Sequence, residues 1–179
     1  MTEVLIIGLG NVLMQDEGIG VRAVEELESR YHLPEGVEAI DGGTTGTELL
    51  EPMRGVKHLI VADAINSKSP PGTFIRLVDD QVPAFFQTKI SNHQLGLSDL
   101  LGLLKITGGE PEHVTIIGVV PHKLENSMGL SPETEKAVGT MVQQLLDELK
   151  SIGIEPVLRD EPLTGFWEGQ ALSGELRCV

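Results

Sequence analysis

The chain carries one cysteine in 179 residues, Cys178, next to last. A lone thiol closes no internal disulfide, and at that position it is a poor buried nucleophile, so disulfide scaffolds and cysteine hydrolases fall away. Basic residues are scarce: 13 Lys and Arg stand against 27 Asp and Glu, for a formal net charge of −14. Such a surface repels nucleic acid and anionic membranes and favours cations or a basic partner, although acidity alone also serves solubility. No apolar run approaches the roughly 20 residues of a membrane helix. Met1-Thr2-Glu3 leads straight into an apolar segment without a basic region or a signal-type core, so a cytoplasmic protein without membrane insertion is expected. A Gly-x-Ser-x-Gly elbow and a His-Glu-x-x-His helix are both missing, which removes two common hydrolase designs.

What is present is alternation. Val4–Leu9 reads as a buried strand, followed by glycines and then a helical pattern from Ile19 to Arg30 that stops before Leu33-Pro34-Glu35-Gly36. Further strands are expected at Val37–Ile40, His58–Ala62, Thr73–Val78 (at an edge) and Val114–Val120. Helices are expected at Thr47–Met53, at Gln94–Leu104 and from Ser131-Pro132-Glu133 onward, where serine caps and proline takes the first helical position. The length suits one domain, residues 1–153, with a core large enough to need no staples. The predicted architecture is a three-layer α/β/α fold around a mostly parallel sheet of about five strands. Residues 154–179, rich in proline and glycine and holding the only tryptophan, Trp167, read as an extended tail with two outcomes open: disorder, or docking through Phe166-Trp167.

A parallel sheet collects the loops after its strands at one edge. Asp16 and Glu17 follow the first strand, Asp41 ends the second and Asp63 ends the third, while His93 sits before the Gln94–Leu104 helix. Two adjacent acids near a helix N-terminus oppose an anion and point to a cation. Carboxylates with an imidazole suit Ni, Zn, Fe or Mn. Each residue also has a plainer reading: Glu17 as a first-turn helix acid, Asp63 as a turn cap, His93 as a surface histidine. Gly42-Gly43-Thr44-Thr45-Gly46 fits either a phosphate cradle or a tight bend. His32, His58, His113 and His122 lack ligand-like spacing and read as structural or exposed.

A dinucleotide-binding oxidoreductase is the competing enzyme class. Gly8-Leu9-Gly10 begins the required pattern, and Asp41 stands where a ribose-binding acid would. Leu13 occupies the third glycine position, however, and Asp16 and Glu17 would repel a pyrophosphate.

Five segments stand in order along the chain: Gly8-Leu9-Gly10-Asn11-Val12-Leu13 with Asp16-Glu17-Gly18-Ile19-Gly20, Asp41-Gly42-Gly43-Thr44, Ala62-Asp63-Ala64, Lys89-Ile90-Ser91-Asn92-His93-Gln94-Leu95-Gly96-Leu97, and Ile117-Gly118-Val119-Val120-Pro121. Together they resemble the hydrogenase maturation endopeptidases. The resemblance runs in order over about residues 3–152 and leaves the tail outside. It implies an α/β/α endopeptidase that removes the C-terminal extension of a [NiFe] hydrogenase large-subunit precursor after nickel insertion. It further implies Glu17, Asp63 and His93 as metal-binding residues, gripping nickel that arrives with the substrate, with other divalent ions able to use the same ligands. Asp41, and second to it Asp16, are the candidates for the catalytic or substrate-orienting carboxylate, in keeping with an aspartic-type label for the family. The alternative outside enzymology is a non-catalytic nickel chaperone or docking protein that uses Glu17, Asp63 and His93.

Overall fold

The computed structural model describes residues 1–87, 96–167 and 169. Its first strand, β1 (Val4–Leu9), is buried along its whole length. A 3-10 turn at Gln15–Gly18 leads into α1 (Ile19–Arg30), which runs directly into the two-residue strand β2 (Tyr31–His32). β3 (Val37–Gly43), a 3-10 turn with the short α2 (Leu50–Met53), β4 (His58–Ala64) and β5 (Phe74–Val78) follow. The rest comprises α3 (Gln81–Gln87), α4 (Leu97–Ile106), β6 (His113–Val119), α5 (Pro132–Ser151) and the two-residue β7 (Val157–Leu158).

The main sheet has five strands in the order β3-β1-β4-β6-β5. β3, β1, β4 and β6 pair in parallel, and β5 runs antiparallel to β6 at the edge, as expected for Thr73–Val78. Period-two alternation divides the strand side chains between two cores. Val4, Ile6, Ile60 and Ile117 meet α1 and α5 on one face. Leu5, Ile7, Leu59, Val61 and Ile116 meet α2, α3 and α4 on the other. Fully burying each such side chain contributes about 1.5–3 kcal/mol, which explains why β1 and β4 read as unbroken apolar runs. Ser131 caps α5 by accepting the backbone N–H of Thr134, with Pro132 behind it.

Several boundaries differ from the sequence reading. The expected Thr47–Met53 helix is split into a 3-10 turn and one α-helical turn. The helix expected over Gln94–Leu104 spans Leu97–Ile106, and its first expected residues lie outside the described ones. α3 was not anticipated, and neither was the second sheet, in which β2 and β7 pair antiparallel. Of the two outcomes open for the tail, docking holds as far as Trp167, whose indole reaches Asp41.

Candidate active site

Because β1, β3, β4 and β6 are parallel, their following loops meet at one edge. Register aligns Asp41 of β3 with Gly8 of β1, and Gly8 in turn with Ala62 of β4, immediately before Asp63. Two glycines bring the 3-10 turn down onto these strand ends. A Cβ on Gly20 would stand 2.1 Å from the carbonyl oxygen of Ala62 and 2.4 Å from that of Leu9, so only glycine lets α1 start this close to the sheet. Gly10, at φ 137°, lies with its Cα against the backbone of Glu17, where a Cβ would overlap the carbonyl. Asp16, Glu17, Asp41 and Asp63 are thereby gathered at one edge.

The two neighbouring acids have opposite environments. Glu17 is half-buried, whereas Asp16 is fully buried at 0% exposure. Asp16 Oδ2 accepts the backbone N–H groups of His122 (3.0 Å) and Lys123 (2.8 Å) and the hydroxyl of Ser131 (2.8 Å). Its Oδ1 accepts the backbone N–H of Ser131 at 2.7 Å. Burial by itself would push this carboxyl up, but the hydrogen bonds from Ser131, Thr134 and Lys123 outweigh it and hold Asp16 below the ordinary carboxylate value. Asp16 thus ties the 121–131 loop to the turn that carries Glu17. The backbone of Gln15 reinforces the tie by donating to Ser127 at 3.0 Å. Both oxygens of Asp16 are spent on these donors, which leaves it no free face for proton transfer to a substrate.

Asp41 is exposed. Its Oδ1 accepts the N–H of Gly43 at 2.8 Å, which fixes the carboxylate over the glycine bend. That bend bears out the tight-turn reading of Gly42-Gly43. Asp41 Oδ2 accepts the indole N–H of Trp167 at 3.0 Å. Trp167 also lines a small crevice with Gln15, Gly18 and Arg22 of the turn and α1, and Met128 and Leu130 of the loop that Asp16 holds. Asp63 is half-buried. His93 lies outside the described residues, and among those described no group of three His, Cys, Asp or Glu side chains is arranged to hold a metal. His122 turns its Nδ1 to the Thr134 hydroxyl at 3.2 Å, in keeping with a structural reading. Sequence reasoning missed the anchoring work of Ser131 and the Trp167–Asp41 contact.

Known proteins resemble this chain in sequence and in fold. A family model described as hydrogenase maturation protease matches residues 21–148. The Hydrogenase 2 maturation protease of Escherichia coli is 49% identical over 158 residues, covering 88% of this chain and 96% of that protein. The hydrogenase expression/formation protein HoxM of Cupriavidus necator is 39% identical over 162 residues, covering 89% of this chain and 80% of that one. Among solved structures, the hydrogenase maturating endopeptidase HybD from E. coli superposes with a TM-score of 0.83 at 48% identity, covering 89% of this chain and 98% of that one. A [NiFe] hydrogenase maturation protease from Thermococcus kodakarensis superposes at 0.67 with 28% identity, over 83% and 99% of the two chains.

Proposed function

The chain belongs to the hydrogenase maturation proteases, and on that premise we propose that it cuts the C-terminal extension from a nickel-loaded [NiFe] hydrogenase large-subunit precursor. The observation that carries this reading is the placement of Asp41 and Asp63 near the ends of two parallel strands that flank β1, with Glu17 on the turn that follows β1 and packs back on those ends; Glu17 and Asp63 are half-buried and Asp41 is exposed. Glu17 and Asp63 supply carboxylate oxygens and His93 an imidazole nitrogen, with no thiolate among them. That donor set suits a borderline divalent ion held weakly in the free enzyme. The nickel is cargo of the precursor, and these residues test whether it has been loaded.

Asp41 is the working carboxylate in this reading. It is exposed, it is oriented by Gly43, and open space on the side-chain face of Gly43 leaves room for an extended peptide. As general base it takes a proton from the attacking water, whose oxygen bonds to the scissile carbonyl carbon. The proton passes to the leaving amine as the C–N bond breaks. Asp16 is a positioning residue that holds the turn beneath Glu17.

The test is a mass-spectrometric processing assay with nickel-loaded and nickel-free precursors from the same organism. Loss of a C-terminal peptide from the loaded form alone is the expected result, and Asp41→Asn and Glu17→Gln should each slow it at least about a hundredfold. Cleavage of both forms would remove the nickel test. A stable complex without any cleavage would transfer the protein to the chaperone class.

A further inference from the structure

The C-terminal segment does more than end the chain. β7 pairs with β2 at the far end of α1, with Tyr31 opposite Leu158 and His32 opposite Val157. From there the backbone climbs along α1 toward the carboxyl edge of the sheet. Arg159 donates its N–H to the carbonyl of Arg30 at 2.8 Å, and Leu163 donates to Ser29 at 2.9 Å. Gly165 passes so close to Glu25 that a Cβ there would stand 2.4 Å from the carboxyl carbon. One residue-pair further, the backbone N–H of Trp167 donates to Glu25 Oε1 at 2.7 Å. The climb ends with the indole N–H on Asp41 Oδ2, Phe166 packed edge-on against the ring at a centroid distance of 4.9 Å, and the ring beside Gly18 and Arg22.

This segment lies beyond residue 148, where the family match stops. The E. coli relative is covered to 96% of its length while about a tenth of this chain has no counterpart in it. The segment takes up the one oxygen of Asp41 that Gly43 leaves open. We propose that residues 157–167 form an autoinhibitory strap, in which the chain's own C-terminal segment occupies Asp41 Oδ2 through the Trp167 indole and must be displaced by the C-terminal region of the precursor before cutting. This rests on the reading of Asp41 as the working carboxylate.

The physical basis is competition. An attached segment competes at an effective concentration of about millimolar, without any need for high intrinsic affinity. If the strap is docked about nine-tenths of the time, the apparent KM for precursor rises about tenfold and kcat is untouched. Release of the strap is therefore a change in binding, not in chemistry.

Trp167 is the only tryptophan, so 5-fluorotryptophan places one fluorine reporter in the full chain. The docked strap should give a ¹⁹F resonance displaced from that of a synthetic peptide of residues 157–179. The resonance should move to the peptide position in Asp41→Ala and on addition of unlabelled precursor. Trp167→Ala should lower KM about tenfold with kcat within about twofold, and Trp167→Phe, which keeps a ring and loses the N–H, should fall between. A resonance unmoved by both Asp41→Ala and precursor would overturn the proposal, as would a KM that is unchanged or raised in Trp167→Ala. If no form of the enzyme cuts the precursor while the resonance still moves on its addition, the protease reading fails and the displaceable strap stands.

Discussion

At the scale of single residues, adjacent acids do different work. Asp16 and Glu17 look alike as neighbours, yet one is sealed and the other is only half-buried. Asp16 meets donors only, so an isosteric amide fails there: in Asp16→Asn an NH2 group would face an N–H or O–H. Unsatisfied buried donors cost roughly 1–3 kcal/mol, and more when the lost acceptor is charged. Asp16→Asn should therefore lose about 3 kcal/mol in urea unfolding and process precursor more slowly. Its contribution has a definite pH sign, because the folded group titrates below its ordinary value of 3.8. The stabilisation is complete above that value and is lost as pH falls through the lowered one. An Asp16→Asn chain whose stability matches the parent at neutral pH would remove the anchoring role.

At the scale of elements, two glycines in helices make opposite predictions. Gly20 opens α1 against the backbone of β1 and β4, so Gly20→Ala must push the helix start, and Glu17 before it, off the strand ends. Overpacking of this kind costs about 1–3 kcal/mol, and processing should fall with it. Gly139 lies on the exposed side of α5 with nothing within 4 Å of a Cβ, so Gly139→Ala should gain up to about 1 kcal/mol from helix propensity and leave processing alone. Thermal melts of both variants, with processing rates, separate close approach from mere flexibility. Equal effects at the two sites would contradict the packing argument. The elements that were legible in the sequence are those with local signals: β1 and β4 as apolar runs, and α5 through its serine cap and proline. α3 escaped because Pro83 interrupts a pattern of only a few apolar residues, although a first-turn proline costs a helix little. β2 and β7 escaped because two residues carry no period. The candidate acids were legible as strand ends, but their division of labour was not. The partners of Asp16 lie more than 100 residues away, and Trp167 lies 126 from Asp41, distances over which local patterning is silent.

On the scale of the whole molecule, the sheet has two edges of opposite chemistry. Carboxylates gather where β1, β3 and β4 end, and histidines stand where β4 and β6 begin. His58 and His113 are paired in register and stack with ring centroids 5.1 Å apart, and His113 Nδ1 faces Asp79 at 3.3 Å. Burial first, and the neighbouring His113 second, hold His58 below its ordinary 6.5, against the opposing pull of Glu112, Glu148 and Asp79. The fold therefore favours neutral His58. Its contribution is present above 6.5 and is lost as pH falls through the lowered value, well before Asp16 takes up a proton below 3.8. The two edges thus weaken in sequence on acidification, first the histidine edge and then the carboxylate edge. Urea unfolding across this range should show a first decline that flattens in His58→Gln and a second that flattens in Asp16→Asn. Glu28, whose carboxyl is raised by burial, takes up a proton more readily in the folded chain and offsets part of this decline, so His58→Gln is compared with the parent over the same range. A first decline of undiminished slope in His58→Gln would mean that the proton is taken up at another site, and the stacked pair would then be packing alone.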